Sequence, residues 1–183
     1  MIDLVDLMKS DRKFEKIWES TCKNHRVLYF QIDEGDEGIP PHFHPYGEDH
    51  AFILEGELTY DISFEQQIVA KKNSLVFGWT YAVHGYHNTN SSSLHILVFA
   101  TPEHNSSVYN ESKLPRKIDV KLRFIEALPI KDILFSDRVI FSSAPLDCTN
   151  TLILDTNRQI LHVTLCNEPC GNPLFFTFKS PIS

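Results

Sequence analysis

Only four cysteines occur, at Cys22, Cys148, Cys166 and Cys170, and three residues separate the last pair, wider than a two-residue thiol pair. A disulfide framework and a thiolate zinc site are therefore not expected, and the thiols are read as reduced. No apolar run approaches the roughly 18 residues of a membrane span. The opening MIDLVDLMKSDRK has no basic region ahead of an apolar stretch, so neither a leader nor a membrane partner is expected, and the expected location is the cytoplasm. Basic charge is also sparse: 17 Lys and Arg stand against 24 Asp and Glu, for a net charge of −7, and they are scattered rather than gathered into a stripe. That distribution argues against nucleic acid as a partner.

What the chain does have is aromatic and branched residues in short runs. With 183 residues, 42% of them apolar, and thirteen Phe, six Tyr and two Trp, it has material for a core and a bias toward strands. The segments FEKIWES, HRVLYFQID, HAFILEG, ELTYDIS, SLVFGW and LHILVFA read as strands punctuated by polar or glycine-containing breakers. The start, Ile2 to Lys9, fits neither a helical nor a strand period and is open between a short helix and a β arm. Gly56 is placed for a tight turn that returns ELTYDIS beside HAFILEG in one sheet. After Thr101 the polar stretch PEHNSSVYNESKLPRK reads as a linker or long surface loop. The expected division is residues 1–114, a barrel with its N-terminal arm, and 115–183, a C-terminal β extension. The extension echoes the first part, SDRKF at 10–14 in SDRVI at 136–140 and NHRVLYFQI at 24–32 in NRQILHVTL at 157–165. A degenerate partial repeat without metal ligands is one reading of it.

The chemistry concentrates at HFHPYGED. His42 and His44 are two apart, so on a strand both imidazoles point to one face, and the neighbouring prolines stiffen their approach. Asp49 follows five residues after His44, and His84 lies 35 residues beyond Asp49 in VHGYHN. Three imidazoles and a carboxylate suit one divalent ion, with Fe or Mn favoured and Ni, Zn or Cu admitted. Glu48 is the alternative carboxylate.

At these residues the sequence resembles the cupin superfamily. Its first motif runs glycine, five residues, HxH, three or four residues, glutamate, six residues, glycine; HFHPYGEDHAFILEG matches it through His42, His44, Asp49 and Gly56. Its second runs glycine, five residues, PxG, two residues, histidine, three residues, asparagine, and falls on NSLVFGWTYAVHGYHN through His84 and Asn88. Asp49 stands where the family has glutamate, and Asn73, Trp79 and Tyr81 where it has glycine, proline and glycine. The resemblance implies an all-β fold, a double-stranded β-helix or jelly-roll barrel, here with additional C-terminal strands. It also implies a metal near the barrel centre and a small-molecule substrate or ligand entering from the open end.

Tyr86 and Asn88 share the parity of His84 and are expected pocket residues, and the resemblance to the family implies Tyr60 and Phe99 as further wall residues. His50 and His87, one residue from inward positions, are expected on the outside as solvated or surface-bonded histidines. His25, His95, His104 and His162 receive no role, and the acidic run at 33–37 reads as a solvated loop. The function expected is a metal-dependent, dioxygenase-like oxidoreductase acting on a small organic metabolite. The alternative is a non-catalytic module that binds or senses a small ligand and acts through dimerisation or a partner. A homodimer is expected because extra strands need a covered edge.

Overall fold

The computed structural model describes residues 4–19, 26–100, 106–120 and 123–125, and the backbone of five later strands. All four cysteines, His25, His104 and the side chain of His162 fall outside the described residues, and so do the expectations attached to them.

Two compact units are present, residues 12–127 in one and residues 1–11 with 128–183 in the other, set beside an expected division at 114/115. In the second unit, Leu4–Lys9 forms α1, which answers the open reading of the N-terminus. Ser10 ends this helix, its amide and hydroxyl both donating to Leu7 O at 3.2 and 2.6 Å.

The unit of residues 12–127 is built from β1 (Phe14–Glu19), β2 (Arg26–Ile32), β3 (Ile39–His42), β4 (Asp49–Glu55), β5 (Glu57–Asp61), β6 (Gln67–Lys71), β7 (Leu75–Gly78), β8 (His84–His87), β9 (Leu94–Ala100) and β10 (Phe124–Ile125). They form a six-stranded sheet ordered β1-β2-β9-β4-β7-β10 and a four-stranded sheet ordered β3-β8-β5-β6. Period-two alternation puts Ala51, Ile53, Val76, Ile96 and Val98 of the large sheet against Leu58, Tyr60, Ala70 and Tyr86 of the small one, all buried in one core. This is the double-stranded β-helix that the motifs imply.

The strands β6 and β8 escaped the sequence reading. QIVAK is an edge strand with four of its five residues not buried, and HGYH carries too few apolar residues to announce itself. Gly56 is a correction. It sits at φ +86° between β4 and β5, but those strands belong to different sheets. A single intervening residue is too short for a two-residue hairpin, so the corner carries the chain across the barrel instead. Glycine is required there because an added Cβ would lie 2.7 Å from Ser93 O.

The remaining strands, β11 (Asp132–Phe135), β12 (Arg138–Ser143), β13 (Asn150–Asp155), β14 (Ile160–Leu165) and β15 (Leu174–Lys179), make an antiparallel meander in chain order. Its pairing differs from that of the segments it echoes. β1 pairs directly with β2, whereas β13 lies between β12 and β14.

Candidate metal centre

Strand register brings the histidines together. β3 and β8 pair so that His42 lies opposite His84, which makes residues 42 apart along the chain direct cross-strand neighbours. His44 follows on the same face, and Asp49 enters from the large sheet at the start of β4, opposite Gly78. The ring centroids are 4.8 Å apart for His42 and His44, 4.4 Å for His42 and His84, and 4.9 Å for His44 and His84. One ligand atom from each of His42, His44, Asp49 and His84 lies within 4.8 Å of every other, and all four residues are buried. Among the described residues this is the group with metal-binding composition, and Asp49, rather than Glu48, is its carboxylate.

The imidazoles are held from behind. His42 Nδ1 is 2.8 Å from Pro40 O and His84 Nδ1 is 2.9 Å from Ala82 O. A carbonyl only accepts, so each Nδ1 carries the proton and each Nε2 presents a lone pair. His84 Nε2 is buried without a hydrogen-bond partner, costly for a polar atom unless something coordinates it. His44 Nε2 lies 3.3 Å from Asp49 Oδ2. Burial lowers the pKa of His42, with the neighbouring His44 charge acting the same way, and lowers that of His84 further, reinforced by His42 and His44. Both rings are therefore neutral, the state in which imidazole ligates a metal. The donor set and the unpartnered nitrogen fit a divalent ion.

Two glycines make this possible and were not singled out in the sequence. A Cβ on Gly78 would lie 2.3 Å from Asp49 O and 2.9 Å from the His84 ring, so the bare backbone there leaves space for the imidazole. On Gly85 it would meet Asp61 Oδ2 at 2.1 Å. That notch admits the Asp61 carboxylate, which lies 2.6 Å from His87 Nε2 and accepts from Gln67.

Arg123 was also missed, since it falls in the segment from residue 115 on that was read as a C-terminal β extension outside the barrel. Its fully buried guanidinium donates to Phe77 O at 3.2 Å, Ile62 O at 2.9 Å, Tyr60 OH at 3.1 Å and Val83 O. It thus clamps both ends of the β7–β8 connection, whose last residue precedes His84.

Of the expected pocket residues, Tyr86 and Tyr60 are fully buried in the barrel, their rings 5.7 Å apart, and Tyr86 OH donates to Asp49 O at 3.4 Å. Asn88 is turned to structural use, donating to Ile32 O and Ser92 O, both at 2.8 Å. Phe99 pairs with His50 while Ala100 pairs with Asp49, so its side chain is on the sheet face opposite the cluster. His50 corrects the expectation of a solvated histidine. It is 1% exposed, its Nε2 3.3 Å from Glu48 Oε2 and its ring packed on Phe77 and Trp79. Pointing away from the barrel axis is not the same as facing water, because the second face of the large sheet is also buried at Phe52, Phe77, Leu97 and Phe99.

In the acidic loop, Asp33 and Asp36 both pair with Lys13, at 2.5 and 2.8 Å. Hydrogen bonding to Lys13 holds the Asp33 carboxyl well below the usual carboxylate range. An open groove walled by Lys13, Phe30, Gln31, Asp36 and Ile39 contains none of the four clustered residues.

The family model described as Cupin domain matches residues 28–100. No curated protein matches the chain. Among solved structures, one similar chain is an uncharacterized conserved protein with a double-stranded β-helix domain from Klebsiella pneumoniae subsp. pneumoniae MGH 78578, at 19% identity over 56% of this chain and 89% of that one, with a TM-score of 0.47. An RmlC-like cupin family protein from Methanocaldococcus jannaschii shares 22% identity over 52% of this chain and 86% of that one, TM-score 0.44. A predicted oxalate decarboxylase from Thermotoga maritima shares 16% over 49% and 78%, TM-score 0.45. At such identities the likeness says nothing of the chemistry.

Proposed function

We propose, since through residues 28–100 the chain belongs to the cupin superfamily, that His42, His44, Asp49 and His84 hold one divalent metal and that the protein is a metal-dependent, dioxygenase-like oxidoreductase acting on a small organic metabolite. The observation that supports it most is the convergence of four ligand atoms within 4.8 Å, one of them a buried nitrogen with no other partner. Iron or manganese suits this donor set best, with nickel, zinc or copper as the other candidates. When bound, such an ion supplies a Lewis acid with open positions and, in the case of iron, a redox partner for dioxygen. The chain's own residues fix the donors in place, keep the His42 and His84 imidazoles neutral by burial, and exclude water with Tyr60, Tyr86 and the barrel core.

The test is metal analysis of protein prepared without a metal-binding tag, followed by oxygen uptake by the Fe(II)-loaded protein with a panel of organic acids, thiols and phenols. About one iron or manganese per chain with substrate-dependent uptake supports the proposal; one metal with no uptake from any compound rejects the oxidoreductase reading.

A second reading, a non-catalytic ligand-binding or sensing cupin, draws on the two barrel tyrosines. Burial pushes the phenols of Tyr60 and Tyr86 up, so both stay protonated and neither serves as a general base. A ligand recovered unchanged after long incubation with metal-loaded protein would favour it. Either reading is proposed for a cytoplasmic homodimer with no nucleic-acid or membrane partner. Among the described residues no helix is long and apolar enough to cross a membrane. Light scattering at micromolar concentration should give twice the chain mass.

A further inference from the structure

Residues 106–110 do more than connect. β3 is the outer strand of its sheet, with β8 on one side only, and such an edge leaves main-chain groups open to pairing. Val108 uses it: Phe43 N donates to Val108 O at 3.1 Å and Val108 N to Phe43 O at 2.9 Å, an antiparallel bridge. The bridge dictates what flanks it. In an antiparallel pair the neighbours face each other in reverse order, so Tyr109 falls opposite His42 and Ser107 opposite His44.

Both contacts are made. The Tyr109 ring stacks on the His42 imidazole, with centroids 5.2 Å apart and planes at 30°. Ser107 Oγ is 3.4 Å from His44 Nδ1. Farther along, Arg116 N donates to Tyr81 O, while Tyr81 N donates to His44 O at 2.9 Å. The strap is thus tied at residue 108 to Phe43, the middle residue of the HxH pair, and at residue 116 to Tyr81, ahead of His84.

Resting on the metal-binding reading above, we propose that Ser107 and Tyr109 are positioning residues of the metal centre, fixing the His44 and His42 imidazoles through a strap that pairs with the β3 edge. Ser107 completes a pattern: every imidazole in the cluster has its Nδ1 against a polar atom outside it, Pro40 O, Ala82 O or Ser107 Oγ. Such contacts set ring orientation and tautomer and hence the direction of the ligating lone pair. Tyr109, 57% exposed, is the roof over His42 and restricts rotation of that ring by stacking.

Cobalt(II) is the probe, because its visible bands report ligand geometry as well as occupancy. Full-length wild type and the variants Ser107→Ala, Ser107→Thr, Tyr109→Ala, Tyr109→Phe and His84→Ala are titrated with Co(II), with circular dichroism and thermal unfolding as controls for folding. Ser107→Ala and Tyr109→Ala should each weaken Co(II) binding about 10- to 100-fold and shift the bands. Ser107→Thr and Tyr109→Phe should restore both. Folded Ser107→Ala and Tyr109→Ala proteins with wild-type bands and affinities within about twofold overturn the inference alone. A wild type that binds no Co(II), or a His84→Ala variant that binds it unchanged, overturns the metal-binding reading and this inference with it.

Discussion

At position 84 one ring carries several demands at once. Its Nδ1 is spent on Ala82 O, its Nε2 is buried and unpartnered, and Gly78 leaves the space it fills. A metal that binds only the folded chain stabilises it by mass action, about 2.7 kcal/mol at a hundredfold excess over the dissociation constant. Thermal unfolding with and without Mn(II) or Fe(II) should therefore show a metal-dependent rise in midpoint for wild type and none for His84→Ala. Gly78→Ala should be more damaging still. Its methyl group would fall 2.3 Å from Asp49 O, so backbone must move and the ligand ring with it, and a loss of about 2–4 kcal/mol is expected from overpacking. Denaturant midpoints measure that loss, and equilibrium dialysis against metal measures the lost binding.

Asn73 and Tyr81 show how local conformation can persist without the usual residue. Both stand where the family motif has glycine, and both adopt positive φ, 66° and 62°. Asparagine tolerates that region readily. Tyrosine does so at a cost, offset here by amide bonds to His44 O and from Arg116 N to its own carbonyl. The motif glycines marked a backbone shape, and tertiary bonds preserve the shape after the glycines are gone.

Among the elements, the β7–β8 connection is the one on which the site depends most. Arg123 holds Phe77 O at one end and Val83 O at the other and also meets the face of Tyr60 at 5.3 Å. Removing the guanidinium leaves buried carbonyls unpaired at about 1–3 kcal/mol each. Arg123→Met should accordingly lower stability by several kcal/mol in denaturant titrations and weaken metal binding, although residue 123 touches no ligand. Lysine should not substitute well, since one ammonium lacks the planar fork that reaches four acceptors.

Most strands were legible because they are short runs of apolar and aromatic residues between breakers: β2 is RVLYFQI and β9 is LHILVFA. β6 was not, because an edge strand needs few apolar residues, nor was β8, whose burial comes from histidines and tyrosine rather than aliphatics. The side of the sheet on which Phe99 stands follows from its register with His50, and register between distant strands leaves no trace in either segment alone.

For the molecule as a whole, the buried titratable groups set a pH window. Burial is the chief cause lowering the pKa of His42, His84 and His95 from the ordinary value near 6.5. Below that value the unfolded chain takes up protons that the folded chain refuses, so this contribution is complete above pH 6.5 and lost as pH falls below it. Tyr29 shifts the other way, raised by burial to about 12, and Tyr60 and Tyr86 are raised as well. Above about pH 10 the unfolded tyrosines ionise first, and stability declines again as pH rises toward the folded values. Urea midpoints of the metal-free protein should form a plateau between these limits, and a midpoint that keeps rising as pH falls from 7 to 5 would contradict the burial of these imidazoles in the neutral form.

The sequence by itself determined the all-β character, the pairing of His42 with His44 on one face, and the candidacy of Asp49 and His84, because these rest on local period and spacing. Tertiary structure alone decided that Asp49 rather than Glu48 joins the cluster, that Gly56 leads from one sheet to the other, and that Ser107 and Tyr109 stand against the imidazoles. Each of those outcomes depends on which strands become neighbours and in what register, and that is set by the packing of the two sheets around a shared core, not by any one segment of the chain.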